Sequence, residues 1–224
     1  LLAFGCQENL ENPNDNNNNS SNNNGVVPTP GQDVIFGASM NEDEDTEVKT
    51  IYGDETNNAF PIYWLKGDQV VITSPQCAEG RRTAVYQTNC NDGSEYAGTL
   101  TKVGDTGIQW GDTSADFYSV YPAAGVTADI TDPNNIKFNV SMPAEQRITV
   151  SASATSGLYS ATPEMDGCFM YAKSLGVDNG STVNLKYTPF STALRFKLRG
   201  PQYTNKQPVH VTKVEVIAPY SIAG

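Results

Sequence analysis

Apolar and polar positions alternate along most of this chain with a period of two, in short runs. In ALRFKLR, Leu194, Phe196 and Leu198 fall on one face and Arg195, Lys197 and Arg199 on the other. That is the mark of a strand with one buried face. DVIFGAS places Val34 and Phe36 together in the same way. VKTIYG, FPIYWLKGDQVVITS, TAVYQT, EYAGTLTKV, TGIQW, DFYSVYP, NIKFNVSM, RITVSAS, CFMYAKS and STVNLKY continue the series. Turn signals such as Lys66-Gly67-Asp68 and Asn91-Asp92-Gly93 separate the runs. No segment carries a long 3.6-residue stripe. The spacing predicts an all-β protein, an antiparallel β-sandwich over residues 31–210. Residues 211–224, with Val214 and Val216 on one side and then Pro219, read as a connecting strand and the broken-off start of a second β domain.

The beginning of the chain departs from this pattern. Residues 12–24 are almost entirely Asn, Ser, Asp and Pro, and offer no apolar surface to offset the entropy of ordering the backbone. Residues 6–30 therefore read as a disordered tether, ending in the stiff lead-in VVPTPGQ. Ahead of it, Leu1-Leu2-Ala3-Phe4-Gly5 is a short apolar run closed by a small residue just before Cys6. This resembles the lipobox of bacterial lipoproteins, which implies that residues 1–5 end a signal peptide. By the same resemblance the Cys6 thiol is the lipid-attachment site and the outer membrane is reached through that anchor. Gln7-Glu8 resembles the short polar signal that sends some lipoproteins to the outer face.

Charge narrows the partners. The net charge is −11 and the sequence pI about 4.4, which argues against nucleic acid or an anionic membrane surface. No basic residue precedes Lys49, whereas Arg195, Lys197, Arg199, Lys206 and Lys213 make the C-terminal part locally basic. No internal apolar run approaches the length of about 18 residues that a spanning helix needs.

With Cys6 acylated, Cys77, Cys90 and Cys168 remain. Cys77 and Cys90 bracket CAEGRRTAVYQTNC, and an exported protein could oxidise them to a disulfide worth about 3 kcal/mol in the chain-entropy model. Three small buried thiols fit the sequence equally.

Catalytic groups are scarce. His210 is the only histidine and lies in an alternating run, where a strand histidine is the ordinary reading. Neither a His-x-x-x-His zinc pair nor a G-x-S-x-G elbow is present. Cys168 has no base nearby in sequence, and Asp112 with Asp116 read as solvated loop acids rather than a glycosidase pair. NCNDGSE lacks the order of a calcium loop and reads as a tight turn. Neither an enzyme nor a cofactor or metal site is expected. Trp64, Trp110 and the tyrosines could stack on sugar rings if exposed, which keeps a surface glycan-binding lipoprotein as the alternative reading.

The ordered set FGAS, VKTIYG, IYWLKGDQVVI, DFYSVYP, STALRFKL and VTKVEVIAPYSIAG resembles the fimbrillin family of Gram-negative gut and oral anaerobes. Phe36 and Ala38, Lys49-Thr50, Trp64 with Gly67-Asp68, Tyr121-Pro122, Leu194 to Leu198 and Ile222 to Gly224 carry the likeness. The resemblance implies a surface lipoprotein with transthyretin-like sandwiches. It also implies a role as pilin, anchor or tip of a fimbria, adhering to host or bacterial surfaces. Polymerising members lose an N-terminal segment including the first strand to a protease, and a neighbouring subunit's strand fills the bared groove. Here the first strand would be residues 34–39, carrying Val34 and Phe36, and the processing site would lie in or after NEDEDTE, with Lys49 the candidate. The oral pilins' protease prefers arginine, and no Arg precedes Arg81. An uncut subunit would be an anchor rather than a shaft pilin.

Overall fold

The computed structural model describes residues 2–6, 30–40, 51–52, 62–91, 95, 97–141, 148–152, 159–163, 167–195, 215 and 217. All of the expected tether (residues 6–30) but its first and last residues, together with Lys49, His210 and nearly all of residues 211–224, lies outside this set. The described residues form strands and turns and contain no α-helix. The strands are β1 (Leu2–Cys6), β2 (Phe36–Met40), β3 (Ile51–Tyr52), β4 (Ile62–Tyr63), β5 (Gln69–Thr73), β6 (Thr83–Asn89), β7 (Ala97–Lys102) and β8 (Ala115–Tyr121). They continue with β9 (Val126–Asp129), β10 (Lys137–Val140), β11 (Ile148–Ala152), β12 (Tyr159–Pro163), β13 (Met170–Val177), β14 (Val183–Pro189) and β15 (Ser191–Arg195).

Seven of them hydrogen-bond into a closed barrel in the order β13-β14-β2-β7-β6-β5-β8, with β8 returning to β13. The all-β expectation holds at this level, but the principal sheet is a ring rather than two separate sheets. The joints differ in strength. β8 and β13 pair at six positions with a bulge between Ser174 and Val177, whereas β13 and β14 pair only at Met170↔Pro189 and Tyr171↔Thr188. All joints are antiparallel except one: β14 and β2 run parallel, Val183 opposite Phe36 through Tyr187 opposite Met40.

Period-two patterning explains which side chains fill the ring. On β14 Val183, Leu185 and Tyr187 are buried while Asn184 and Lys186 are exposed, as the pleat requires. Phe36, Ala38 and Met40 do the same on β2. Trp64, Trp110, Phe117, Ile72 and Leu185 join them in one continuous core. The aromatic rings meet edge to face: Trp64 with Tyr187 at 5.2 Å, Trp110 with Phe117 at 5.4 Å, a favoured quadrupole geometry. Deep in the ring, Ser119 Oγ donates to Val71 O at 2.9 Å and accepts from Tyr187 OH at 2.6 Å, so these buried hydroxyls are satisfied.

β5 is buried on both faces because its outer side is covered too. Val71 and Val120 point outward and pack with Val126, Phe169, Phe138 and Phe190 in a second cluster, beneath the β9–β10 hairpin. Outside the ring β11 pairs with β12, β3 with β4 and β1 with β15.

Candidate functional site

Residues 31–40 cross the molecule in two steps. In the first, Gly31 N donates to Trp110 O, Trp110 N to Gln32 O and Val34 N to Ile108 O, each at 2.9 Å, around an antiparallel bridge of Asp33 with Gln109. In the second, the chain enters the ring as β2. One edge pairs antiparallel with β7, Phe36↔Leu100 through Ser39↔Ala97, and the other parallel with β14. The hand-over falls at Ile35, which is 64% exposed and whose carbonyl accepts from Val183 N at 2.9 Å. The strand thus begins at Phe36 and reaches Met40, two residues later at its start than the sequence suggested. Val34 is buried before it, in the bridge to residues 108–110.

The slot around β2 is tight. Phe36 is edge-on to Tyr86 (4.8 Å, 68°) and to Phe117 (5.4 Å, 81°). Ala38 lies opposite Gly98 on β7 and Leu185 on β14. A Cβ on Gly98 would come within 3.2 Å of Cys90 Cβ and 3.3 Å of Asn89 O, so any larger residue there would press its neighbours aside by a few tenths of an ångström. Tyr86 OH accepts from Ile108 N at 2.8 Å and thereby holds the strip that binds residues 31–34. Burial pushes the Tyr86 phenol up to about 12. At the rim, Asp33 accepts from Lys102 Nζ at 2.7 Å and from Gln109 Nε2 at 3.1 Å. Those bonds, led by Lys102, lower its pKa below the ordinary 3.8.

The other candidate residues are dispersed. Cys6 ends β1, with its backbone opposite Ser191 at the start of β15. Strand pairing for residues 2–6 had no counterpart in the sequence reading. The structure draws no bond between Cys77 and Cys90, the pair the sequence offered for a disulfide, and both are buried, as is Cys168. The reason is the β5–β6 hairpin, whose register pairs Thr73 with Thr83 and Gln69 with Gln87. Cys77 lies in the connecting loop and Cys90 beyond the far end of the seven-residue β6. At about 3.3 Å per residue such a strand holds its ends roughly 20 Å apart, well beyond the Cα limit of about 7 Å for a disulfide. Burial also pushes the Cys168 thiol up to about 11, which disfavours a thiolate nucleophile.

Asp116 is committed to structure. It accepts from Gly176 N at 2.7 Å and from Gln76 Nε2 at 3.4 Å, while Asp112 is exposed. Asn91 N and Nδ2 both donate to Glu95 across the NCNDGSE turn. Among the described residues no group of three or more His, Cys, Asp or Glu is gathered to hold a metal. Trp64 and Trp110 are 0% and 1% exposed, so neither presents a ring face to a sugar.

Sequence reasoning missed Met40, Gly98, Lys102, Gln109 and Asn184 as parts of the slot. Alternation in FGASM carries through to Met40 and could have found it. The others come from segments distant in sequence with no local signal. Comparison with known proteins finds no matching family model, no matching curated protein and no matching solved structure.

Proposed function

We propose that the chain is a non-enzymatic subunit of a cell-surface fimbria, resembling the fimbrillins, that assembles by exchanging the strand in the β2 slot. In this reading the protein is exported as a lipoprotein acylated at Cys6 and carried to the outer face of the outer membrane. The ring is then a transthyretin-like sandwich closed at its edges, with the two-position β13–β14 joint as the seam. One observation carries the reading: β2 makes the single parallel joint of the ring, is connected to neither neighbour by a hairpin, and buries alternate side chains Phe36, Ala38 and Met40. A strand so placed can leave without unthreading its neighbours. What it leaves is two hydrogen-bonding edges and an apolar floor, the geometry of strand addition. Fully burying Val34 and Phe36 stabilises by about 3–6 kcal/mol, so an emptied slot strongly favours a substitute.

Cleavage after Lys49 would remove β2 together with the acylated Cys6, residues 1–5 having already left with the signal peptide. The test is the N-terminus of subunits recovered from filaments of the surface protein, by mass spectrometry, with Lys49→Gln as the comparison. Subunits beginning after residue 40 are expected, and processing elsewhere in residues 41–50 would reassign the protease site alone. Filaments whose subunits retain residues 31–40 in the chain would overturn strand exchange. Cys6→Ala should abolish lipid labelling and release the protein from the membrane; unchanged retention would remove the lipoprotein part.

A further inference from the structure

The slot is not uniform along its length, and its unevenness describes what can enter it. Its first buried position is a deep aromatic site, where Phe36 meets Tyr86 and Phe117. Its second is shallow. Ala38, 3% exposed, is flanked by Gly98 and by the fully buried Leu185. Behind Gly98 stand Cys90 Cβ and Asn89 O, at 3.2 and 3.3 Å from where a Cβ would be. Its third is again large, holding Met40, 1% exposed, beside Tyr187. On the outer face a Cβ at Gly37 would meet Asn184 Oδ1 at 2.9 Å, so a small residue is favoured there or Asn184 must swing away. Ahead of all these, Lys102 and Gln109 converge on the Asp33 carboxylate.

We propose that the slot selects its incoming strand by this profile. The occupant is an extended segment of another subunit that carries bulky, small and bulky apolar residues at successive inward positions. A carboxylate stands three residues before the first of them. The proposal rests on the exchange reading above and sharpens it into a sequence rule. The small middle position sets the register. A shift of two residues would drive a bulky side chain against the Gly98–Leu185 layer, where overpacking in a filled core is unfavourable. A shift of one residue would turn the apolar face to solvent. The carboxylate fixes the same register from outside by meeting Lys102 as Asp33 does, and a second copy of this chain carries such a segment in its own residues 33–40.

The experiment uses the full chain with a site-specific protease sequence inserted between Asp45 and Thr46. After cleavage the segment that carries β2 is held by non-covalent contacts alone: β2 in its slot, residues 31–34 against residues 108–110, and β1 against β15. The cut protein is incubated in mild denaturant with fluorescent peptides of residues 31–40, returned to buffer, and retained label is measured by size exclusion. The unaltered peptide should be retained, and a peptide with Ala38→Leu retained roughly tenfold less or worse. A peptide with Asp33→Ala should fall by a few-fold, an effect that shrinks at high salt. Equal retention of the unaltered and Ala38→Leu peptides would overturn the selection rule while leaving exchange intact. Retention of no peptide at all, in protein that has refolded, would overturn the rule and the exchange reading together.

Discussion

β2 and the β5–β6 hairpin are buried to a similar degree, yet the chain builds them in opposite ways. The hairpin is closed locally. Its loop is tied by Ser74 N to Arg82 O at 2.8 Å, Arg82 Nε to Cys77 O at 3.1 Å and a Thr73–Thr83 hydroxyl pair at 2.6 Å. β2 has no local partner, and both of its neighbours are distant in sequence. Closing long loops costs entropy before the contacts repay it. A hairpin therefore belongs to the fold's framework, while an inserted strand can be supplied late, or by another molecule. Burial alone does not distinguish the two. Connectivity does.

The largest way to break this contrast is Phe36→Ala. The ring sits between Tyr86 and Phe117 in a filled core, so its loss should cost about 3–5 kcal/mol in chemical denaturation. If β2 docks after the framework has formed, the change should fall on the unfolding rate, with the folding rate nearly constant. Thr73→Val, which deletes a hairpin hydroxyl worth about 1 kcal/mol, should instead slow folding. Equal partition of both effects would erase the distinction between framework and inserted strand.

Part of this was readable from the amino acids. Alternation at Val183, Leu185 and Tyr187, or at Phe36 and Ala38, announces strands because a pleat buries every second side chain. The all-β class followed from it, and so did attention to Val34 and Phe36. The ring did not, since nothing local tells β14 that it will lie parallel to β2, and such pairings depend on tertiary packing. The cysteines show the same limit from the other side. Thirteen positions of sequence separate Cys77 from Cys90, which suits a loop closure until a hairpin stretches that interval along a strand. Lys102 and Gln109 were silent because their use at the rim depends on where residues 31–34 land.

A middle-sized test uses Tyr86, the β6 residue that reaches across to the inserted segment. Tyr86→Phe keeps the ring against Phe36 but leaves the buried Ile108 N–H without its 2.8 Å acceptor, a loss of about 1–3 kcal/mol. Alkaline titration adds an independent reading. The phenol ionises near 10.0 in an unfolded chain and at about 12 when folded. Between those values the unfolded state has released a proton that the folded state retains. The Tyr86 contribution to stability is therefore whole below pH 10 and declines toward pH 12. Tyr187, raised by burial as well, and Cys168, raised from 9.0 to about 11, add to the same limb. Denaturation midpoints of Tyr86→Phe should fall less steeply over this window than those of the unaltered protein. Parallel slopes would mean that Tyr86 does not titrate with unfolding.

The smallest expected effect is the most selective. Asp33 and Lys102 meet at 2.7 Å, but their side chains are 46% and 40% exposed, and an ion pair so open to water contributes on the order of 0–1 kcal/mol. Asp33→Asn keeps an acceptor for Gln109 and removes the charge, so the global midpoint should hardly move. Local behaviour should differ between the two regions. The Val34 amide, donating to Ile108 O just beyond the pair, should exchange faster through partial opening of residues 31–34, because sub-global openings sense small local losses. The Ser74 amide, which closes the hairpin through Arg82 O, should keep its rate. Raising salt should narrow the gap between Asp33→Asn and the unaltered protein, since screening weakens the same contact in the latter. If the Val34 and Ser74 amides accelerate together, the inserted segment opens only with the whole barrel. A strand that cannot loosen by itself would be a poor one to exchange.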